Sequence, residues 1–145
     1  MRIVLRPATP DDAERLLAWR NDPVTRAHSR RQHALSWAEL MAAPAGTTRE
    51  SYVGELDGHP VGSLHLDYAG TACELSWTVA PAERGRGIGR ALVAAAVAAA
   101  RAPELVALIK PANEASRRIA DSLGFAPQGE RDGLEIWRLT RRARA

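Results

Sequence analysis

The chain has 145 residues, 46% hydrophobic and 26% charged, with a formal net charge of +3, a mixture that excludes a disordered or fibrous chain. Its single cysteine, Cys73, excludes an internal disulfide framework. The longest apolar run, Ala91 to Ala100, is well short of the ~20 residues that span a bilayer, and Asp11 and Asp12 come too early for a secretory leader, so one cytoplasmic domain, 1–145, with no membrane partner is expected.

Residues 2–6 alternate polar and apolar and predict a first strand. Thr9-Pro10-Asp11-Asp12 then reads as a helix start: Thr9 caps, Pro10 suits the first helical position, and the acids favour the positive end of the dipole. That helix is expected to reach about Asn21, with Pro23 stopping it. Residues 24–35 read as irregular, ahead of a short helix opened by the capping-box spacing of Ser36-Trp37-Ala38-Glu39 and closed near Pro44-Ala45-Gly46. Strands follow at roughly 50–57, 60–69 and 72–79, turned at Asp57-Gly58 and Gly70-Thr71. An Ala-rich helix over about 87–102 gathers Ile88, Leu92, Val93, Ala96, Val97 and Ala100 on one face and ends at Pro103. A strand at 104–110, a helix at about 113–123 and strands near 126–131 and 134–140 complete the order β-α-α-β-β-β-α-β-α-β-β. Middle hairpins plus one βαβ crossover imply an α/β fold, a mixed, mostly antiparallel sheet flanked by about four helices.

The central hairpin fixes a register. A two-residue turn at Gly70-Thr71 pairs Leu66 with Leu75 and Leu64 with Trp77 on one face, and Asp67 with Glu74 and His65 with Ser76 on the other. Facing carboxylates repel, which should raise one pKa and suit it to base work; a solvated polar face is the alternative for Glu74, His65 and Asp67.

The stretch Arg84-Gly85-Arg86-Gly87-Ile88-Gly89-Arg90 sits where a strand gives way to a helix. Helix-start N–H groups lack internal partners, glycines let an anion approach closely, and the arginines add positive charge. The glycine spacing is G-x-G-x-G, not the G-x-G-x-x-G of a Rossmann turn, and no Lys-Ser/Thr follows as a P-loop requires. Aromatics are only 5% and the arginines are scattered apart from this stretch and the tail Arg138, Arg141, Arg142 and Arg144, which argues against a nucleic-acid partner.

Arg84-Gly85-Arg86-Gly87-Ile88-Gly89, with Val79 and Pro81 before it, Asn113-Glu114-Ala115-Ser116 and Leu123-Gly124-Phe125, resembles in order and spacing the GNAT superfamily of N-acetyltransferases. The resemblance covers essentially the whole chain and implies acetyl-CoA as cosubstrate, with no metal. It implies that the amides from Arg84 through Gly85, Arg86, Gly87, Ile88 and Gly89 to Arg90 hold a pyrophosphate, that Trp77, Thr78 and Val79 pair with the pantetheine arm, and that Asn113 contacts the cofactor; a plain helix cap is the other reading of Asn113. Glu74 stands on the strand where family members often carry a basic glutamate. The helix position at which many relatives carry a thiolate-protonating tyrosine holds Ala120, leaving Ser122, water or no residue for that role. That feature favours the alternative of a non-catalytic acyl-CoA-binding module.

The acceptor is expected to be a small-molecule amine or a peptide. Leu17-Ala18-Trp19-Arg20-Asn21-Asp22-Pro23-Val24 and Ser36-Trp37 resemble amino-sugar-nucleotide acetyltransferases of the pseudaminic-acid type, and less specifically enzymes that acetylate ribosomal-protein N-termini. Arg20, Arg26 and His28, with Arg30, Arg31 and His33 nearby, would suit a nucleotide-diphosphate acceptor; a solvated loop is the other reading. Assembly as a homodimer is left open.

Overall fold

In the computed structural model, which describes residues 1–142, seven strands form one sheet in the order β1-β2-β3-β4-β5-β7-β6. These are β1 (Val4–Pro7), β2 (Thr48–Leu56), β3 (His59–Ala69), β4 (Ala72–Val79), β5 (Glu104–Ile109), β6 (Ala126–Arg131) and β7 (Leu134–Thr140). All neighbours run antiparallel except β4 and β5. The helices are α1 (Ala13–Arg20), α2 (Pro23–His28), α3 (Trp37–Met41), α4 (Ile88–Ala99) and α5 (Glu114–Ser122), with 3-10 turns at Pro10–Asp12 and Pro81–Glu83. Arg144 of the basic tail lies outside the described residues.

The mixed, mostly antiparallel sheet is the expected one, and β6 and β7 have the expected bounds. Among the described residues five helices stand where about four were expected. Pro23 does not stop a helix but starts one: Asp22 accepts hydrogen bonds from the Val24 and Thr25 amides, and proline fits the first helical position, where an N–H would be unpaired anyway. The first helix opens as a 3-10 turn, and the Asp12 carboxylate at its end accepts from Thr9 and from the Arg6 fork at 2.8 and 2.9 Å, which holds its pKa down at about 2.

The central hairpin has the register that the alternation dictates: Asp67 opposite Glu74, Leu66 opposite Leu75, His65 opposite Ser76 and Leu64 opposite Trp77. Leu64, Leu66 and Leu75 join Leu92, Val93, Leu105 and Phe125 in the main core, under α4 and α5. Helix α4 comes close because β2 and β3 offer glycines there: a Cβ on Gly54 or Gly62 would lie 2.6 or 2.8 Å from a Leu92 methyl. Leu16, Leu35, Leu40 and Val53 form a second cluster with Trp19 and Trp37 packed against it. Alternation puts Ser51, Ser63, His65 and Asp67 on the same face as Val53. Polar side chains of the central strands thus turn toward α1–α3.

Candidate active site

Strands β4 and β5 pair only at Ala72, Cys73 and Glu74 with Glu104, Leu105 and Val106. Beyond Glu74 both strands continue, to Val79 and Ile109, but share no further paired residue. A parallel pair that stops early leaves one edge of β4, from Leu75 onward, without its ladder partner. A cleft of about 460 Å³ opens there, lined by Ser76, Trp77 and Thr78 from β4, by Leu108 and Ile109 from β5, and by Asn113 and Ser116 from the head of α5.

The glycine loop lies between the end of β4 and α4. Gly85 and Gly87 both have φ of +79°, and Arg86 between them does not share the positive φ, so the amides alternate in hand as in an anion-binding nest. A Cβ at either glycine would meet nothing, yet the backbone conformation itself favours glycine. No side chain caps α4, so its first N–H groups stay available to a ligand. Gly89 has another function: a Cβ there would sit 2.8 Å from Ile119, so this glycine lets α4 meet α5 closely. Ile88 is in the core. The three arginines are all tied by hydrogen bonds, two of them to carboxylates. Arg84 donates to Asp22 at 2.6 Å and to Thr25, Arg86 pairs with Glu83, and Arg90 donates to Ser122.

Glu74, Asp67 and His65 all line the cleft. The expected repulsion between the facing carboxylates is largely quenched. Asp67, 4% exposed, accepts from Arg49 Nε and Nη2 at 2.8 and 2.9 Å, so both of its oxygens are held in a bidentate pair. Glu74 nevertheless has a raised pKa; burial is the main cause and Asp67 adds to it, while Arg30 opposes. Arg30 Nη2 lies 3.3 Å from Glu74 Oε2. His65 Nδ1 lies 2.7 Å from Ser51 Oγ, and burial, then the Arg49 charge, lowers its pKa to about 4. The imidazole is therefore neutral at pH 7. Burial pushes the Cys73 thiol up to about 12, an inert side chain of the core.

Asn113 is the N-cap of α5, its Oδ1 accepting from the Ser116 amide at 3.2 Å. Both expectations for it meet here, since it caps the helix and also lines the cleft. Ala120, 1% exposed, packs into the core. Ser122 does not line the cleft; its hydroxyl donates to Ile119 O and accepts from Arg90.

Of the three acceptor residues expected, Arg20 and His28 line the cleft and Arg26 does not. Arg26 Nε donates to Gln32 O at 2.8 Å and so closes the turn after α2. Sequence reasoning missed the ties that hold this segment over the strand split: Arg84 to Asp22, Lys110 Nζ to Ala27 O at 2.9 Å, and Arg30 to Glu74. It also missed Arg49. Asp22-Pro23 was a readable helix start; the long-range pairs, between 44 and 83 residues apart, leave no local signal.

The family profile of the acetyltransferase (GNAT) domain matches residues 2–126. No curated protein matches the sequence. A domain from Methanocaldococcus jannaschii DSM 2661 superposes with a TM-score of 0.82 at 22% identity, over 96% of this chain and 98% of that one, a likeness of fold. A structure described as a proposed phosphinothricin N-acetyltransferase superposes at 0.77 with 25% identity, over 97% and 99% of the two chains. The yncA protein of Salmonella typhimurium, solved with its cofactor acetyl-CoA, gives 0.73 and 25%, over 100% and 97%. The profile spans most of the chain, and the chain belongs to the GNAT acetyltransferase family.

Proposed function

We propose that this chain moves the acetyl group of acetyl-CoA to a primary amine, and that the acceptor is an amino-sugar nucleotide. The observation that carries the reading is the early end of the β4–β5 pairing, which leaves an unpaired strand edge running on from Glu74 toward the glycine loop that precedes the uncapped α4. The groups fit the cosubstrate. Alternating amides at Gly85 and Gly87 suit a pyrophosphate, with Arg84, Arg86, Ile88, Gly89 and Arg90 completing the loop and helix start. The β4 edge at Trp77, Thr78 and Val79 suits the amides of a pantetheine arm, and the Asn113 side-chain nitrogen has donors to spare beyond its cap. A yncA protein solved with acetyl-CoA shares this fold.

Acetyl-CoA supplies an activated acetyl group on a sulfur that leaves readily. The protein's part is to hold the amine and take its proton. An ammonium has no lone pair, and most alkylamines are protonated at pH 7. Glu74 is the base in this reading: half-buried and raised above the ordinary carboxylate range, it is matched better to an amine than an exposed glutamate would be. Arg30 guards it in the free protein and must yield for the amine to reach Oε2. Asp67, bound on both oxygens, positions Arg49, which in turn holds the Leu40 carbonyl of α3. His65, neutral and held by Ser51, offers the acceptor a polar contact rather than a charge. Because Ala120 is apolar and buried, it has no proton to give, and in this reading the sulfur leaves as thiolate.

Release of free thiol from acetyl-CoA, measured against amino-sugar nucleotides, simple amino sugars and N-terminal peptides, tests both levels. Saturable release with the sugar nucleotides above the others supports the acceptor. Release with peptides alone would replace it, and no release with any amine would contradict acetyl transfer.

A further inference from the structure

Arg20 ends α1 and lines the cleft although it is only 9% exposed. Its Nη2 donates to the Arg31 carbonyl, while its enclosed Nη1 has no hydrogen-bond partner among the described residues. The other cleft-lining arginines each have a carboxylate: Arg30 has Glu74, Arg31 has Glu39, and Arg49 has Asp67. Arg20 has none. Burial, followed by the like charges of Arg31 and Arg26, lowers its pKa. A guanidinium out of water with no counter-ion costs several kcal/mol, and a buried donor left unmatched adds to that. Such a group is stabilised by an anion arriving from outside the chain.

We propose that the acceptor amine carries an oxyanion, a phosphate or a carboxylate, and that the Arg20 guanidinium is its anchor, which makes Arg20 the residue that selects the acceptor. The proposal rests on the acetyl-transfer reading only for the word acceptor; the binding it claims is measurable without turnover. It also separates Arg20 from Arg26, whose guanidinium is committed to Gln32. The forked donor geometry of arginine suits either oxyanion, and a charge-assisted bond made in a buried place discriminates strongly against a neutral analogue.

The test uses the full chain saturated with coenzyme A, so that the glycine loop cannot report phosphate. Calorimetric titrations compare two matched pairs of amines: a hexosamine 6-phosphate against the hexosamine, and an α-amino acid against its amide. In one pair the charged member should bind at least about tenfold more tightly, and Arg20→Met should erase the difference. Preference in the phosphate pair assigns a phosphorylated acceptor; preference in the other pair assigns a carboxylate. Arg20→Lys should keep part of the preference. The melting temperature of Arg20→Met should stay level or rise, because exchanging an uncompensated buried charge for an apolar chain is neutral or stabilising. Equal binding within both pairs, a preference that survives Arg20→Met, or a variant that melts lower or fails to fold would each overturn the proposal. Absence of thiol release from acetyl-CoA with any amine, measured in separate samples without coenzyme A, would sink the acetyl-transfer reading and leave the anchor standing.

Discussion

On one side, the edge of β4 in the cleft and, past the end of that strand, Gly85 and Gly87 present backbone; on the other, Arg20, Arg30, Arg31 and Glu39 present side chains from α1–α3 and the segments between them. The first side is set by local conformation: two glycines with positive φ and a helix with no capping side chain. The second is set by ion pairs and hydrogen bonds between residues far apart in the chain, such as Arg84 with Asp22 and Arg30 with Glu74. Backbone amides cannot change charge or rotamer, so the first side suits a group common to many reactions. Side chains can be exchanged one at a time, so the second side suits the choice of a substrate. Glu74 stands where the two meet.

The largest effect should come from that junction. Glu74→Gln keeps the shape and removes the base, and kcat near pH 7 should fall by about 10² to 10⁴-fold. At high pH, where the amine is already neutral, the defect should shrink. A wild-type rate at pH 7 with both substrates saturating would make Glu74 a surface carboxylate and detach the two halves from each other.

A smaller effect should separate the halves by their response to acid. His65 has a folded pKa of about 4 against an ordinary 6.5. Between those values the unfolded chain binds the proton and the folded chain does not, so stability falls as pH drops from 6.5 toward 4. The full loss is on the order of 3 kcal/mol. Glu74, raised by burial, acts in the opposite sense, so the informative quantity is the difference between wild type and His65→Asn. Thermal melts across this window should show a shallower decline for His65→Asn. Identical profiles would mean that the imidazole gains its proton without strain.

The smallest effect concerns Arg30. Its charge favours the Glu74 carboxylate and so works against burial. Arg30→Ala should therefore move the acidic limb of the pH–rate profile to higher pH, by less than about one unit for a partly exposed pair. A shift to lower pH would show that Arg30 does not touch the base in the working enzyme.

The same contrast explains what could be read before the structure. The Leu64, Leu66 and Leu75 pattern fixed the hairpin, because a slip by one residue would expose all three. Asp132-Gly133 fixed the last hairpin, both residues taking positive φ as a tight turn of this type demands. The glycine loop was legible as part of a family resemblance, carried by its order with the Asn113 and Gly124-Phe125 elements, and its Gly85 and Gly87 take positive φ. Asp67 was placed on the right face and opposite Glu74, but its ion-pair partner was missed, since nothing near it in sequence announces Arg49, 18 residues away. Arg26 was grouped with Arg20 by composition, and only the fold tells the one tied to Gln32 from the one left with an unmatched Nη1.

The backbone side offers the most direct test of the whole account. Coenzyme A should raise the melting temperature of the wild-type chain, as a ligand of the native state does. Gly87→Asp forces a side chain onto a backbone at φ +79° and sets a negative charge at the head of α4. In that variant, folded by circular dichroism, the shift should disappear. A shift of wild-type size in folded Gly87→Asp would contradict the claim that the glycine loop holds the cosubstrate.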